Sequence, residues 1–182
     1  MKQTVRIIGG QYRGKKLHFP AIEGLRPTPD RVKETLFNWL MNDIRDKKCL
    51  DAFAGSGALG FEAFSRGAKQ VVFVESSPKV FNNLKQLVGS FNTENLLVIQ
   101  ANALAYLEKT VENFDIIFLD PPFAQNYLPE CLNLLAHSKI LAKGGLVYIE
   151  SPTKPILDPS LWREIKLKQA GQVIYGLYEK IN

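Results

Sequence analysis

The 182-residue chain has few cysteines and histidines, the residues that most often bind transition metals, and it has no long apolar run. Its two cysteines, Cys49 and Cys131, and its two histidines are far apart in sequence. No metal-ligand spacing therefore appears, and we predict two reduced thiols in the core. No apolar stretch approaches the roughly 20 residues that cross a membrane. The N-terminal residues lack the apolar core of a signal peptide, so we expect a cytoplasmic protein.

Acidic residues are absent from residues 1–22, although the chain as a whole is well charged. This segment carries five cations, Lys2, Arg6, Arg13, Lys15 and Lys16, while basic and acidic residues balance in the remainder. The net charge of +5 therefore lies in the first 22 residues. A solvated basic terminus would have this pattern. A basic appendage on a neutral body also favours a nucleic-acid partner, because cations neutralise phosphates and release counterions.

The body of the chain alternates strand and helix patterns from residue 46 onwards. Apolar runs predict strands over 48–53, 70–75, 96–100, 114–120 and 145–150, with helices over 57–66, 78–91, 102–109 and 127–137. This alternation predicts an α/β fold with a doubly wound parallel sheet, typical of Rossmann-like proteins. Two further strands, 162–168 and 172–178, follow with no helix between them, so we expect the last strand to run antiparallel.

The first 45 residues predict a small extension, and we place a domain boundary between residues 45 and 46. Residues 5–8 and 15–19 form a predicted hairpin around a glycine turn. A rigid linker leads to a helix over about residues 30–42, which Thr28 or Asp30 is expected to cap. The helix pattern places an apolar face inward and Lys33 on another face; the apolar residues are Val32, Leu36, Trp39 and Leu40.

A glycine-rich turn follows the first core strand, with the sequence DAFAGSGALG over residues 51–60. Its Gly-x-Gly-x-x-Gly spacing between a strand and a helix is typical of nucleotide binding. Glu75 ends the next strand about twenty residues on, where an acid binds a ribose diol. Asn102 follows the third strand and is placed either to contact adenine or simply to cap a helix. An adenosine-containing cofactor is predicted, and the glycines leave open a dinucleotide or S-adenosylmethionine.

The tetrapeptide Asp120-Pro121-Pro122-Phe123 follows the apolar strand over 114–119. The two prolines fix their φ angles and have no N–H group, so the segment is rigid. Such a segment is able to hold a flat base against Phe123. It also accepts hydrogen bonds from an exocyclic amino group through Asp120 and the Pro121 carbonyl. A rigid exit loop after a core strand would explain the tetrapeptide alone equally well.

Taken together, these motifs resemble the RsmD family of methyltransferases, which methylate the N2 amino group of a guanine in 16S ribosomal RNA. Lys33 stands where arginine is more frequent in that family, a change that keeps the charge. The resemblance covers nearly the whole chain and rests on residues 6–10, 13–14, 26–28, 31–40, 51–63, 65–68 and 120–123.

This resemblance implies a class I methyltransferase fold with seven strands and an antiparallel last strand. It implies S-adenosylmethionine as cofactor, no metal, and 16S rRNA of the small ribosomal subunit as partner; nothing demands more than a monomer. The implied catalytic residues are Asp120, Pro121, Pro122 and Phe123. RNA contacts are expected from Arg6, Arg13, Lys15 and Lys16. The expected cofactor-binding residues are Arg26, Thr28, Asp51, Phe53, Gly55, Ser56, Gly57, Glu75, Asn102, Ala103 and Asp120.

Three alternatives remain open from the residues themselves. An adenine-N6 methyltransferase acting on RNA or DNA would use the same rigid tetrapeptide. A nicotinamide-dependent oxidoreductase would use the glycine turn but leaves Asp120–Phe123 and the basic hairpin unexplained. A non-catalytic RNA-binding module on the same fold is disfavoured, because Gly55, Gly57, Glu75 and Asp120 are all intact.

Overall fold

The computed structural model describes residues 2–182, which form nine strands and five helices. In chain order the elements are β1 (Lys2–Arg6), β2 (Lys16–Pro20), α1 (Asp30–Trp39), β3 (Lys48–Asp51), α2 (Ala58–Ser65), β4 (Gln70–Glu75), α3 (Pro78–Gly89), β5 (Leu96–Gln100), α4 (Ala103–Lys109), β6 (Phe114–Leu119), α5 (Leu128–Ala136), β7 (Leu141–Ser151), β8 (Trp162–Ala170) and β9 (Val173–Lys180).

The central sheet has seven strands in the order β5-β4-β3-β6-β7-β9-β8. The strands from β5 to β7 are mutually parallel, and β9 runs antiparallel to both β7 and β8. The predicted α/β fold and its antiparallel last strand are therefore confirmed. β7 starts four residues before the predicted strand, because Leu141 already pairs with Phe114 ahead of a register irregularity.

The sheet is buried on both faces, as the continuous apolar runs predict for parallel strands. On β4, Val71 and Phe73 pack into the core under α1, α2 and α3, while Val72 and Val74 pack into the core under α4 and α5. Successive side chains point to opposite faces of a strand, so one short run supplies both cores.

The N-terminal hairpin packs on the face of the sheet that α1, α2 and α3 cover. Its inward residues, Val5, Ile7, Leu17 and Phe19, belong to the same core cluster as the helices on that face. The hairpin itself is confirmed, but β1 begins three residues before the predicted strand. The loop over 7–15 is longer than the predicted glycine turn. Hydrogen bonds between its own ends close it. The boundary between residues 45 and 46 stays a prediction.

Lys33 occupies a position that the helix pattern did not predict. We expected it on another face of α1, but its side chain is 1% exposed. Its Nζ atom donates a hydrogen bond of 2.7 Å to the carbonyl of Arg6 and lies 3.7 Å from a carboxylate oxygen of the buried Glu62. Glu62 also accepts a bond from the amide of Ile8. This buried pair therefore ties α1 and the hairpin to α2.

The start of α1 also differs from the expectation. Pro29 occupies the N-cap position, and no described residue gives that turn a side-chain cap, so capping by Thr28 or Asp30 was wrong. Thr28 is buried, and its hydroxyl group instead donates to Glu150 on β7. A proline at the N-cap has no side-chain oxygen that could cap the helix. The linker is held instead by the contact between Thr28 and Glu150.

A second buried lysine joins the last strand of the sheet to the end of α5. The Nζ atom of Lys180 on β9 donates to the carbonyls of Leu135, Ser138 and Leu141, at 2.7, 2.6 and 3.1 Å. Carbonyls after the last turn of a helix have no partner within the helix. The ammonium group satisfies these carbonyls and thereby joins β9 to the end of α5.

Candidate cofactor and acceptor site

The carboxyl ends of five neighbouring strands, β5, β4, β3, β6 and β7, open into one cleft of about 750 Å³. The chain order changes direction between β3 and β6, and ligands of open α/β sheets bind at such a switch point. Residues of the linker that precedes α1, including Leu25, Arg26 and Thr28, form another wall of the cleft. The fold thus creates a large site at the edge where the sequence motifs converge.

The cleft brings together nearly all of the residues that the sequence predicted for cofactor binding. Its lining includes Arg26, Thr28, Asp51, Phe53, Gly55, Ser56, Glu75, Asn102, Ala103 and Asp120, together with Pro121, Pro122 and Phe123.

Gly57 is the one predicted cofactor-binding residue outside the lining described for residues 2–182. It occupies the N-cap of α2 with φ of 79°. A Cβ atom there would lie 2.4 Å from Phe61 and 2.9 Å from Leu84. Glycine is required at this position because the turn has left-handed geometry and the helix packs closely behind it.

Asp51 lies beneath the glycine-rich turn rather than on its surface. Its side chain is 2% exposed and accepts a hydrogen bond of 3.0 Å from the amide of Gly60. Burial raises the pKa of Asp51 to about 8, and the charges of Glu75 and Glu150 add to the increase. The carboxyl group therefore anchors the turn from below.

Glu75 connects the end of β4 to the glycine-rich turn. One carboxylate oxygen accepts a hydrogen bond from the amide of Gly55 and the other from the amide of Ser77, both at 2.9 Å. These bonds orient the carboxylate toward the cleft that it lines. Asn102 caps α4 through the amide of Ala105, as one of the two alternatives predicted, and it also lines the cleft. Its contact with adenine stays a prediction.

The rigid tetrapeptide separates the first cleft from a second one. Pro121, Pro122 and Phe123 line both, and the second cleft has a volume of about 540 Å³ between residues 121–137 and 151–162. The ring of Phe123 is 49% exposed, although it is a large apolar side chain. An exposed ring on a proline-stiffened loop is a suitable surface for stacking a planar group.

Glu150 is a buried acid beside Asp120 that the sequence analysis missed. One of its oxygens accepts hydrogen bonds from the hydroxyl groups of Tyr148, at 2.6 Å, and Thr28, at 3.4 Å. Burial, and then the neighbouring charge of Glu150, raise the pKa of Asp120 well above its usual range. A sequence signal existed, because acids also end or directly follow β3, β4 and β6.

The acidic lining of the cleft favours a positively charged ligand. Four acids line it, namely Asp51, Glu75, Asp120 and Glu150; burial raises the pKa of Asp51 and Asp120, and Arg26 is the one basic side chain of the lining among residues 2–182. S-adenosylmethionine carries a positive sulfur, an amino group and a ribose diol, so this set of side chains fits it. Across the same residues, the structure holds no cluster of histidine, cysteine and acid side chains suited to a metal ion.

The four basic residues predicted to contact RNA lie outside this lining, within the chain described. The loop between β1 and β2 packs at the carboxyl end of α2, where the amide of Gln11 donates to the Ser65 carbonyl at 2.8 Å. Lys15 lies over the ring of Phe91, just after α3. The cleft lies at the amino ends of both helices. A helix of 8 residues, such as α2, spans about 12 Å, so the loop and the cleft lie about one helix length apart.

Comparison with known proteins shows close relatives over nearly the whole chain. A family model described as "Conserved hypothetical protein 95" matches residues 5–179. Ribosomal RNA small subunit methyltransferase D of Haemophilus influenzae is 46% identical, covering 98% of this chain and 95% of its own length. The protein of the same name from Escherichia coli K12 is 45% identical, covering 97% and 90%.

A solved structure agrees with these sequence relatives. An Escherichia coli protein described as a candidate methyltransferase superimposes with a TM-score of 0.89 at 44% identity, covering 98% of this chain and 99% of its own. None of the described helices is long and apolar enough to cross a bilayer. The matched sequence and the matched fold lead to one conclusion: the chain belongs to the ribosomal RNA small subunit methyltransferase D family.

Proposed function

We propose that the protein transfers the methyl group of S-adenosylmethionine to the N2 amino group of a guanine in 16S rRNA. The observation that carries the proposal is the position of Asp120–Phe123: Pro121, Pro122 and Phe123 form a rigid wall shared by a large acidic cleft and a second open cleft, and Asp120 lines the acidic one. An amino group placed at the edge of this wall would reach both Asp120 and a ligand held in the acidic cleft. Family membership supports both the reaction and the RNA substrate.

The acidic cleft is the proposed cofactor site. Glu75 would hold the ribose diol, Asn102 and Ala103 would border the adenine, and Arg26 with Thr28 would cover the ligand from the linker. Gly55 would allow the ligand to approach the backbone closely. Bound S-adenosylmethionine supplies a methyl group on a positively charged sulfur.

The amino group of a purine is a poor nucleophile because its lone pair is delocalised into the ring. Hydrogen bonds from its two N–H groups to Asp120 and to the Pro121 carbonyl would favour a more tetrahedral nitrogen. Its lone pair would then point at the methyl group. Alignment of this kind contributes about 7–11 kcal/mol in favourable cases. Phe123 would stack on the base after it leaves its helix, contributing about 1–3 kcal/mol.

The basic hairpin is the proposed grip on the RNA backbone. Arg6, Arg13 and Lys16 are exposed and Lys15 is partly exposed, so all four are available to phosphates. We propose that residues 1–45 serve as an extension that contacts RNA and closes over the cofactor, and that residues 46–182 form the catalytic domain. We also propose that the protein acts in the cytoplasm as a monomer.

The test is transfer of a labelled methyl group to protein-free ribosomal RNA and to assembled small subunits, followed by nucleoside analysis. We expect N2-methylguanosine as the labelled product. Labelled N6-methyladenosine would instead support the alternative adenine-N6 activity, for which the same amino-binding wall is suited. Absence of label in every RNA would contradict both proposals.

A further inference from the structure

Glu150 and Asp120 bring two carboxyl groups together at the point where the proposed reaction occurs. Leu119 pairs with Ile149 in the parallel register of β6 and β7, so the next residues, Asp120 and Glu150, occupy neighbouring positions at the ends of the two strands. Both side chains line the same cleft. Two carboxylates in contact inside a protein repel each other, and such pairs characteristically share one proton.

Hydroxyl donors orient one member of the pair. Tyr148 and Thr28 both donate to the same oxygen of Glu150, at 2.6 and 3.4 Å. Burial, and then the neighbouring carboxylate, raise the pKa of Asp120 well above its usual range. In the resting protein Asp120 therefore holds the proton of the pair.

We propose that Glu150 is a positioning residue that holds Asp120 in a one-proton carboxyl pair, and that this pair receives the proton released by the acceptor amine. The transfer of a proton to the pair rests on the proposed function, whereas the existence of the pair does not. Nothing in the family comparison assigns a role to Glu150. The other ionisable groups facing the pair are Asp51 on β3, Glu75 on β4, Tyr127 before α5, Tyr148 on β7, Tyr175 on β9 and Arg26 in the linker.

The proton balance of the proposed step is simple. The N2 lone pair forms the new N–CH₃ bond while the electrons of the broken S–CH₃ bond stay with sulfur, which leaves the amino group positively charged. That group then loses one proton to Asp120, and the proton already on Asp120 passes to Glu150. The pair changes from one negative charge to none as the positive sulfur becomes neutral. No net charge is created in the buried cleft, where an unpaired charge is costly.

Thr28 makes this pair sensitive to the linker that borders the cleft. Its hydroxyl group is the donor that reaches Glu150 from 122 residues away in the sequence, and it also lowers the pKa of Asp120. Displacement of the linker would remove this donor from Glu150. The protonation of the pair is therefore coupled to closure of the site.

The first experiment measures carboxyl titration by NMR in the free protein with ¹³C-labelled aspartate, so it requires no activity. In Glu150→Gln we expect the pKa of Asp120 to fall by about one unit or more, because the like charge is gone. In Thr28→Val we expect it to rise, because a donor is lost. Glu23→Gln, at an exposed position of the same linker, should leave it unchanged. Tyr148→Phe removes the 2.6 Å donor that stabilises the like charge beside Asp120, so it should lower the pKa of Asp120, and it keeps the test valid if Glu150→Gln does not fold.

The second experiment compares single-turnover methyl transfer with cofactor affinity in the same variants. Glu150→Gln should slow transfer by about 10²-fold, the lower range for loss of a proton-transfer function, with a much smaller change in cofactor Kd. An unchanged Asp120 titration in Glu150→Gln would overturn the pair. A shifted titration with an unchanged transfer rate would overturn its catalytic part. If the natural sequence modifies no RNA, the proposed function fails while the titration still decides whether the pair exists.

Discussion

The acidic cleft and the basic hairpin lie at opposite ends of the same two helices and carry opposite charges. Four acids line the cleft at the amino ends of α2 and α3, whereas Arg13 and Lys15 lie in the loop at their carboxyl ends. Under the proposed function, methyl transfer and attachment to RNA therefore depend on different residues. Substitutions in one region should therefore change the rate and leave RNA affinity alone, and those in the other should do the reverse.

The largest expected effect is on the cleft side, in Asp120→Ala. Loss of the group that orients the amine and accepts its proton should lower the single-turnover rate by about 10²–10⁴-fold. RNA affinity should stay within experimental error, because Asp120 is a helix length away from the hairpin. Filter binding and quenched-flow assays on one preparation would measure both quantities. Normal turnover in this variant would remove Asp120 from the mechanism.

The next largest effect is expected at the buried Lys33–Glu62 pair, which joins α1 and the hairpin to α2. Lys33→Met removes the buried cation beside Glu62, which keeps a contact of 3.4 Å to the partly exposed Arg66. Breaking a buried pair outright costs about 3–5 kcal/mol, so with Arg66 in place we expect the free energy of unfolding in urea to fall by about 3 kcal/mol.

Two matched variants sharpen the Lys33 measurement. The double variant Lys33→Met with Glu62→Gln should recover part of the loss, because no buried charge is left unpaired. Lys69→Met, at an exposed position, should have little effect. A loss as small as that of Lys69→Met would contradict the structural role of the pair.

A smaller effect is expected on the hairpin side. Neutralising Arg13 and Lys16 together, as glutamines, should lower the slope of log affinity for RNA against log salt by about 1.8, because two counterions fewer are released. Transfer from the saturated complex should proceed at the usual rate. The matched pair Lys109→Gln with Lys143→Gln, also exposed, should leave the slope unchanged. An equal slope in both double variants would remove the hairpin from the RNA contact.

The smallest effect concerns pH. The pKa of Asp51 is raised to about 8 in the folded protein, so the folded chain binds more protons than the unfolded chain between about pH 4 and 8. The free energy of unfolding should therefore decrease as pH rises through this range, and Asp51→Asn should decrease less. Between pH 6 and 7 we expect a difference of about 1.4 kcal/mol between the two proteins in urea titrations. Parallel pH curves would contradict the buried, protonated state.

The fold was largely predictable because its buried strands are apolar throughout and their helices have clear apolar faces. Gly55, Glu75 and Asp120 were predictable because each follows or ends such a strand. Lys33 was not, because its partners Arg6 and Glu62 lie elsewhere in the chain, and a pattern that sorts residues by polarity has no means of pairing a distant cation and anion. Glu150 was missed although its place near the end of β7 resembles that of the acids at the ends of β3, β4 and β6.

The position of β9 between β7 and β8 has a consequence for how the protein is made. Within residues 2–182, β8 pairs with β9 alone, so it has no place in the sheet until β9 has inserted. β9 also carries Lys180, whose ammonium group donates a hydrogen bond to the end of α5. A nascent chain that has emerged only as far as β8 therefore has an unfinished sheet with an open edge beside the active site. Chaperones that shield exposed strand edges would act on the protein at this stage of synthesis.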